Sequence, residues 1–128
     1  MGIPPYGYAN GIPFNYSSGW VIEGGNLISP INGSIYVQLT VCFVVNNAGV
    51  SVRLTHNGVS IPTCLGSNCN LSNSDAYITA SCNAYLNVNV NDRMGFSVTG
   101  VGSGSIVLSR NDYYVNETVY SAVANIFY

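Results

Sequence analysis

The chain has 128 residues, of which only 6% are charged: three are arginines, five are aspartates or glutamates, and none is a lysine. This length is typical of one domain with a single core, and an apolar content of 48% excludes intrinsic disorder. So few cations cannot form the basic stripe that neutralises phosphates, which excludes nucleic-acid binding. A surface built from Asn, Ser, Thr, Gly and Tyr favours assembly, because it has little charge to keep copies apart.

Residues 1–28 are rich in Gly, Pro, Tyr and Asn, and three prolines exclude a regular helix or a central strand near the start. We predict an extended N-terminal arm over 1–28 that anchors a head domain, residues 29–128, through contacts with other subunits. Interfaces favour aromatic anchors, and the arm offers Tyr6, Tyr8, Phe14 and Trp20. The alternative is that Trp20 and Val21 begin the first strand of the same subunit.

The first residues, Met1–Pro5, have neither the basic region nor the apolar region of a signal peptide. No apolar run approaches the ~18 residues of a membrane span. The sequence therefore predicts no membrane insertion, and a chain that is either a mature product or made in the cytoplasm.

From Ser34 onward the pattern is one of strands and turns. A strand is predicted over 35–45, where one face carries Val37, Leu39, Val41, Phe43 and Val45. The Asn-Asn-Ala-Gly sequence at 46–49 predicts a turn, and alternating apolar residues predict a strand over 50–54. Asn57-Gly58 is the strongest hairpin signal in the chain, because both residues tolerate the positive φ of a type I′ turn. The return strand over 59–61 is expected to end at Pro62.

In the second half of the chain, residues 63–75 are predicted to form a polar loop. The remaining predicted strands cover 77–90, 94–101, 106–108 and 119–128, with turns at Asn91-Asp92, Gly102-Ser103-Gly104 and Asn111-Asp112. No segment has the 3.6-residue period of a helix. Eight or so short strands at this spacing predict an all-β sandwich or barrel.

The four cysteines, an even number in a charge-poor chain, predict two disulfides and an oxidising location. Of the possible pairings we expect Cys64–Cys69, within one turn-rich loop, together with Cys42–Cys82. Free buried thiols are the first alternative. A zinc site is the second, although four residues between Cys64 and Cys69 is a long spacing for a zinc knuckle.

Two further residue classes are candidates for surface roles. Four N-glycosylation sequons begin at Asn15, Asn32, Asn70 and Asn116, but a chain this rich in Asn, Ser and Thr would carry about three by chance. Tyrosine combines rigid contact area with a hydroxyl, which suits recognition. Tyr113 and Tyr114 follow a predicted turn and cannot both point to one strand face, so one of the two rings should be accessible.

Four segments, in this order, resemble the complement C1q-like globular heads, which share the tumour-necrosis-factor jelly roll. Ser34-Ile35-Tyr36 resembles their Gly-x-Tyr strand, and NNAGVSVRLTHNGVSIP at 46–62 is similar to their central hairpin. LNVNVNDRMGFSVTG at 86–100 resembles their Leu-x-x-Gly-Asp-x-Val turn, with Asp92 in the Asp position and Asn91 replacing the usual Gly. SAVANIFY at 121–128 resembles their closing strand.

This resemblance covers about 34–128 and implies an all-β jelly-roll β-sandwich of about ten strands, a compact homotrimer and recognition by exposed loops. The chain has no collagen-like Gly-x-y stalk. Because bacterial surface proteins and viral proteins carry similar heads, the resemblance does not imply a complement or cytokine role.

The residues that carry catalysis are scarce. His56, the only histidine, lies beside the predicted hairpin turn and is expected to be an exposed turn residue, and no Gly-x-Ser-x-Gly elbow occurs. Asp92 and Asp112 each follow an Asn in a turn, as Asx turns favour. Calcium held by Asp75 or Asp112 with loop carbonyls is an alternative. We predict no catalytic residue, no metal site and no cofactor.

These observations predict a non-enzymatic structural and attachment protein: a trimeric jelly-roll head on a virion, as a capsid, turret or tail-spike component that presents a binding surface. Its expected partners are copies of itself, other virion or surface-assembly proteins, and a glycan or protein on the host surface. The alternative is a secreted or cell-surface C1q-like binding protein, an adhesin or a filament subunit.

Overall fold

The computed structural model describes residues 20–23, 26–108, 113–115, 118–120 and 122–127. In these residues all the strand pairings are antiparallel, so the prediction of an all-β protein is confirmed. Within the same ranges there is no helix of the length and apolarity needed to cross a lipid bilayer.

The described residues form nine strands of very unequal length. Four of them have three residues each and β9 has six, whereas β3 alone has 24. The strands are β1 Val21–Glu23, β2 Asn26–Ile28, β3 Gly33–His56, β4 Val59–Asn70, β5 Ala76–Val88, β6 Arg93–Leu108, β7 Tyr113–Val115, β8 Thr118–Tyr120 and β9 Ala122–Phe127.

The long strand β3 organises the fold, because it pairs with a neighbour on each side along its whole length. Its first half pairs with β5 on one side and with β9 and the end of β6 on the other. Its second half pairs with β4 on one side and with the rest of β6 on the other. The β1–β2 hairpin extends the sheet beyond β6, and β7 and β8 pair with each other.

The turn predicted at 46–49 is wrong, because β3 passes through it as a bulge. Asn47 adopts a left-handed φ of 46°, and the β3–β6 register shifts between Asn46 and Ala48. The additional residue changes which side chains point inward. The β3 positions in the core cluster are odd-numbered before the bulge and even-numbered after it, and they include Val37, Leu39, Val41, Phe43 and Val45, then Ala48, Val50, Val52 and Leu54.

The turn predicted at 102–104 is also wrong, since β6 continues through it directly opposite the bulge. Gly102 has a φ of 111° and pairs with Ala48. A Cβ added at Gly104 would overlap the Asn46 carbonyl. These glycines therefore allow two adjacent strands to bend together at one place, which is a common use of glycine within strands.

The predicted loop over 63–75 is mostly strand. β4 continues to Asn70, and only 71–75 leave the ladder before β5 begins. Pro62 did not end the return strand, because it lies on β4 opposite the register irregularity between Arg53 and Thr55. A bulge is a position where a strand tolerates the missing proline N–H.

The bend in β3 folds its two halves onto each other. Gly66 on β4 pairs with Val52 of β3, and Ser81 on β5 pairs with Thr40 of β3, 12 positions earlier. A straight β3 would therefore hold Gly66 and Ser81 roughly 40 Å apart. Instead, a Cβ at Gly66 would overlap the Ser81 backbone, and Asn68 Nδ2 donates to the Thr79 carbonyl over 2.9 Å. Strands that change layer at a bulge or bend are a recognised way to stack two sheets.

The protein therefore has two packed layers. The first comprises β5, the first half of β3, β9 and the end of β6, and the second comprises β4, the second half of β3, the rest of β6, β2 and β1. Their buried side chains form one core cluster. A cavity of about 10 Å³ between them has room for about one water, and its lining comes from both layers: Leu27, Leu54, Met94, Gly95 and Phe96 with Val37, Leu39 and Ala124.

Several predictions about element ends agree with the structure. Asn57 and Gly58 form the hairpin turn between β3 and β4, with positive φ values of 50° and 82°. The closing strand is β9, and its inward residues are Ala122, Ala124 and Ile126, as the alternation indicated.

Residues 20–23 and 26–28 are part of this fold. Trp20 is only 4% exposed and belongs to the core cluster, and β2 pairs with β6 at Leu27 and Ile28. The alternative in which Trp20 and Val21 begin the first strand of the same subunit is therefore the one the structure shows. The strands begin before the predicted boundary at residue 29.

Candidate binding surface

The outward side chains of the first layer form a surface that we call the amide–aromatic face. Side chains alternate along a strand, so the even-numbered residues of β3 before the bulge point outward, as do the odd-numbered residues of β5 and β9. The pairing aligns these residues in rows across the three strands. The rows are Tyr36 with Tyr85 and Phe127, Gln38 with Asn83 and Asn125, and Thr40 with Ser81.

The aromatic row lies at the end of the face where β3 begins. The Tyr36 ring centroid is 4.6 Å from that of Tyr85, with the rings tilted by 40°, and 6.1 Å from that of Phe127. Contacts of this kind contribute about 0.5–1.5 kcal/mol per pair beyond buried area. Tyr85 nevertheless remains 84% exposed and Phe127 47% exposed, so the row presents ring surface to solvent.

The amide row lies next to the aromatic row. An amide side chain offers donors and acceptors together, and neither Gln38 nor Asn83 makes a side-chain hydrogen bond with another described residue. The Asn125 Oδ1 atom is buried and has no hydrogen-bond partner in the described part of the chain. A buried polar atom without a partner typically costs about 1–3 kcal/mol, whereas the amides of Gln38 and Asn83 can gain bonds when another molecule covers them.

At the far end of the face the surface is apolar again. Val44 pairs with Tyr77 on one side and with Val107 on the other, and these two neighbours are 68% and 48% exposed. None of the described outward residues of this face carries a charge. Exposed aromatic residues without nearby charge are typical of the core of an interface.

The outward side chains of the second layer form a different surface, the hydroxyl face. Ser51 lies between Ser67 and Thr99 in register. The next row places Arg53 between Leu65 and Ser97, and the Arg53 guanidinium donates to the Pro62 carbonyl over 2.9 Å. This face has short side chains and one cation, and no aromatic residue stands in these two rows.

Most of the described charges lie at one end of the molecule, beside the hairpin turns. His56 Nε2 lies 2.8 Å from Asp92 Oδ2, which also accepts the Asn89 N–H over 2.8 Å, and Asn57 Nδ2 donates to Asp92 Oδ1 over 3.2 Å. The Asn89 N–H, followed by the His56 and Asn57 side chains, lowers the pKa of the Asp92 carboxyl below its ordinary value.

This pair joins the 57–58 turn to the segment 89–92. His56 was predicted to be an exposed turn residue, but its side chain is 26% exposed and bonded to a carboxylate. Histidine and carboxylate are two parts of a serine triad, yet no hydroxyl or thiol of the described residues hydrogen-bonds the ring. The nearby Glu23–Arg93 pair is 3.7 Å apart and exposed, so it contributes little.

The structure does not bring the cysteines together as predicted. Cys64 and Cys69 lie on the same strand, one buried and one exposed, and five extended residues separate their Cα atoms by roughly 16 Å. A disulfide spans at most about 7 Å between Cα atoms, so the predicted Cys64–Cys69 bridge does not fit. Cys42 and Cys82 point to opposite faces of the first layer, because Cys42 pairs with Thr79 and Cys82 with Leu39. Instead, Cys64 and Cys82 lie in the same core cluster, and their thiols shift each other's pKa.

The candidate glycosylation sites differ in how much of the amide is already used. Asn70 donates from Nδ2 to the carbonyls of Val45 and Ser74 and accepts from the Ser72 N–H. Asn32 is exposed and uses only Oδ1, which accepts the Val90 N–H over 2.9 Å. A glycan is attached at Nδ2, so Asn32 is suited to modification and Asn70 is not. Asn15 and Asn116 lie outside the described residues.

The other predicted site residues are less informative. Tyr6, Tyr8 and Phe14 lie outside the described residues, and Tyr113 and Tyr114 are described only as backbone of β7. Of the two aspartates considered for calcium, Asp112 lies outside the described ranges, whereas Asp75 Oδ1 accepts a hydrogen bond from Asn46 Nδ2 over 3.3 Å. Among the described residues, no group of three or more His, Cys, Asp or Glu side chains could hold a metal ion.

Sequence reasoning did not identify the amide–aromatic face. Tyr36, Gln38 and Tyr85 were treated as parts of strands, not as neighbours. The signal was present in the alternation: the even residues of 36–44 and the odd residues of 77–87 avoid charge although they point outward. No protein-family model matches the chain, and a search of curated proteins found no match.

Proposed function

We propose that this chain is a non-enzymatic structural and attachment protein: a jelly-roll head that assembles as a homotrimer on a virion surface, as a capsid, turret or tail-spike component. The observation that carries the proposal is the amide–aromatic face, a surface with exposed aromatic side chains at both ends, amides between them and no charge among its described residues. We assign this face to contacts between copies of the chain.

The chemistry of the face supports assembly. Burying Tyr85, Tyr77 and Phe127, which are 84%, 68% and 47% exposed, would remove apolar area from water at about 25 cal/mol per Å². Tyrosine is among the residues that dominate binding energy at protein interfaces. Because no charge has to be desolvated, the cost that usually opposes burying a polar surface is small. A neighbouring copy can also bond the side-chain amides of Gln38 and Asn83, which make no side-chain hydrogen bond with another described residue.

The two-layer arrangement supports the jelly-roll part of the proposal. A jelly roll is a double sheet of antiparallel strands, and here β3 passes from one layer to the other at its bulge. The resemblance of 34–128 to C1q-like heads supplies the trimer and the expected use of exposed loops for attachment. The partners we propose are other virion or surface-assembly proteins and a host-surface glycan or protein.

The test places one charge on each of the two outer faces. Tyr85→Arg puts a cation into the aromatic row, where the parent side chain is largely exposed, so folding should persist. Thr99→Arg is the matched control, because Thr99 is also exposed and stands in a row of the hydroxyl face. The mass of each protein in solution is measured by light scattering after size-exclusion chromatography, and its fold by circular dichroism.

We expect the parent chain and Thr99→Arg to have about three times the 13.6 kDa mass of one chain, and Tyr85→Arg to be a folded monomer. A parent chain that stays monomeric at high concentration contradicts the trimer. If Tyr85→Arg remains trimeric, the amide–aromatic face is not the interface, and the assignment of this face is overturned even though the protein assembles.

The alternative function, a secreted or cell-surface C1q-like binding protein, adhesin or filament subunit, is favoured by the unused Asn32 amide nitrogen. When the chain is expressed through a eukaryotic secretory pathway, this function predicts a glycan at Asn32 and none at Asn70. Peptide mass spectrometry before and after glycosidase treatment decides it, with Asn32→Gln as the control. Secretion without modification of Asn32 would remove this support.

A further inference from the structure

Cys64 and Cys82 lie on the edge strands of different layers. Cys64 is on β4 in the second layer and Cys82 is on β5 in the first. They are 1% and 5% exposed and belong to the same core cluster. The two thiols lie near enough to shift each other's pKa. The two cysteines are distant in the ladder, so this contact exists only because the layers fold onto each other.

The backbone around the pair is held close by two further contacts. Gly66 lies against the Ser81 backbone so tightly that a Cβ at residue 66 would overlap it. Asn68 Nδ2 donates to the Thr79 carbonyl over 2.9 Å. These contacts run in order along the two strands, 66 beside 81 and 68 beside 79, so the edges approach each other over several residues. Close approach of backbone as well as sulfur is the geometry that a disulfide needs.

The two thiols are electrostatically different. The hydrogen bond from the Cys82 thiol lowers the pKa of Cys64, with smaller contributions in the same direction from the Leu54 backbone and from Arg53, while burial opposes them. The same hydrogen bond, together with burial, raises the pKa of Cys82. The thiolate is the reactive form of cysteine, so Cys64 is the better nucleophile of the pair.

We propose that Cys64 and Cys82 form a disulfide that links the two layers at their shared edge, with a low-molecular-weight disulfide such as oxidised glutathione as the oxidant. The Cys64 thiolate attacks one sulfur of the oxidant, breaking its S–S bond, forming a mixed disulfide and releasing one thiolate. Cys82 then loses its proton and attacks the Cys64 sulfur, forming the Cys64–Cys82 bond and releasing the second thiolate. Because both thiols are buried in the folded state, the exchange takes place in a partly open form in which the two strand edges already lie together.

This bridge would connect two strands that no backbone pairing joins. β4 and β5 are not paired with each other in the ladder, and the described contacts between them are the side-chain bond of Asn68 and packing. A cross-link between residues 64 and 82 restricts the unfolded chain, which stabilises the folded state. From the usual relation between stability and melting temperature, we expect the bridge to raise Tm by on the order of 10 °C.

The test uses the full chain with Cys69→Ser, which removes the exposed thiol that shares a proteolytic fragment with Cys64. The protein is refolded with reduced and oxidised glutathione, alkylated, and digested without reduction by trypsin together with an enzyme that cleaves before aspartate. Cleavage after Arg53 and before Asp75 and Asp92 places the three cysteines in separate peptides, 1–53, 54–74 and 75–91. Mass spectrometry then identifies which peptides are joined.

We expect peptide 54–74 to be joined to peptide 75–91, and Tm of the oxidised protein to exceed that of the same protein in dithiothreitol. Cys69→Ser combined with Cys82→Ser is the control, whose Tm should not respond to reductant. If this control does not fold, the comparison of oxidised and reduced Cys69→Ser still decides the question. A bond between 1–53 and 75–91, or complete alkylation of all three thiols after refolding, would overturn the proposal.

Discussion

The two outer faces of this protein share the long strand β3 but present different side chains. On the amide–aromatic face, β3 contributes Tyr36 between Tyr85 and Phe127. On the hydroxyl face, the same strand contributes Ser51 between Ser67 and Thr99. One strand supplies the central row of both, so the contrast arises from side-chain choice on either side of a single bulge. One face is suited to burial against another molecule, and the other is suited to contact with water.

The largest effect is expected from removing the residue that separates the two faces. Deleting Asn47 takes out the bulge, and a shift of one residue exchanges the inward and outward side chains of the second half of β3. Val50, Val52 and Leu54 would then point to solvent. We expect no cooperative unfolding transition, measured by circular dichroism during heating. Asn47→Gly is the control and should melt close to the parent, because glycine accepts the left-handed φ of 46°. A deletion variant that melts like the parent would contradict this role of the bulge.

The sequence predicted the two half-strands but not their continuity. Alternation identified 35–45 and 50–54 correctly as strands, and it also identified the closing strand at 122–127. Asn46-Asn47-Ala48-Gly49 and Gly102-Ser103-Gly104 have the composition of reversing turns. Both segments instead bend neighbouring strands at the same place, and only the pairing of Ala48 with Gly102 distinguishes a bend from a turn. That pairing is a long-range contact that no local pattern contains.

The candidate site was harder to predict for the same reason. Tyr36 and Tyr85 are 49 positions apart in the sequence, and their rings meet because of the register between β3 and β5. That register depends on the positions of the 57–58 hairpin turn and of the segment 71–75. The incorrect Cys64–Cys69 pairing had a related cause. A loop over 63–75 would have allowed Cys64 and Cys69 to approach each other, whereas the observed strand holds them apart. Proximity in the sequence was misleading, because Cys64 lies near Cys82 only when the two layers fold onto each other.

The next largest effect should come from the place where the layers meet. Gly66→Ala forces a Cβ into the Ser81 backbone, and overpacking of this kind typically costs about 1–3 kcal/mol. Gly49→Ala is the matched control on β3, because its Cβ would come no closer than 3.3 Å, to the Val101 side chain, and would otherwise make ordinary contacts with Cys69 and Asn68. Chemical denaturation of both variants should show the larger loss for Gly66→Ala. Equal losses would mean that the two layers separate easily at this edge.

A smaller effect should come from removing the central side chain of a row, and its size should differ between the two faces. Tyr36→Ala removes the ring that contacts both Tyr85 and Phe127, and we expect a loss of about 1–3 kcal/mol in the free energy of unfolding. Ser51→Ala, at the corresponding central position of the hydroxyl face, should change it by less than about 0.5 kcal/mol. The measurement is urea denaturation of variants in their monomeric form, obtained by adding Tyr77→Arg, at the other end of the same face, to each, with Tyr77→Arg alone as the reference. If Ser51→Ala costs as much as Tyr36→Ala, the exposed aromatic row has no special contribution to the fold.

The smallest effect concerns the charged end of the molecule, in neither of the rows that define the two faces. The pKa of Asp92 is lowered by the Asn89 N–H, His56 and Asn57, so the ionised carboxylate stabilises the folded state. For a carboxyl whose folded pKa lies below the unfolded value, this contribution is complete above the unfolded pKa and is lost as the pH falls through the folded pKa. We therefore expect Asp92→Asn to lower Tm at pH 7, and the difference from the parent to shrink below pH 4, since the unfolded value is near 3.8.

Asp75→Asn is a suitable control, because Asp75 makes one hydrogen bond, with Asn46 Nδ2 over 3.3 Å. A difference between parent and Asp92→Asn that stays constant from pH 7 to pH 3 would show that the hydrogen-bond geometry of residue 92, and not its charge, holds the 57–58 turn to the segment 89–92.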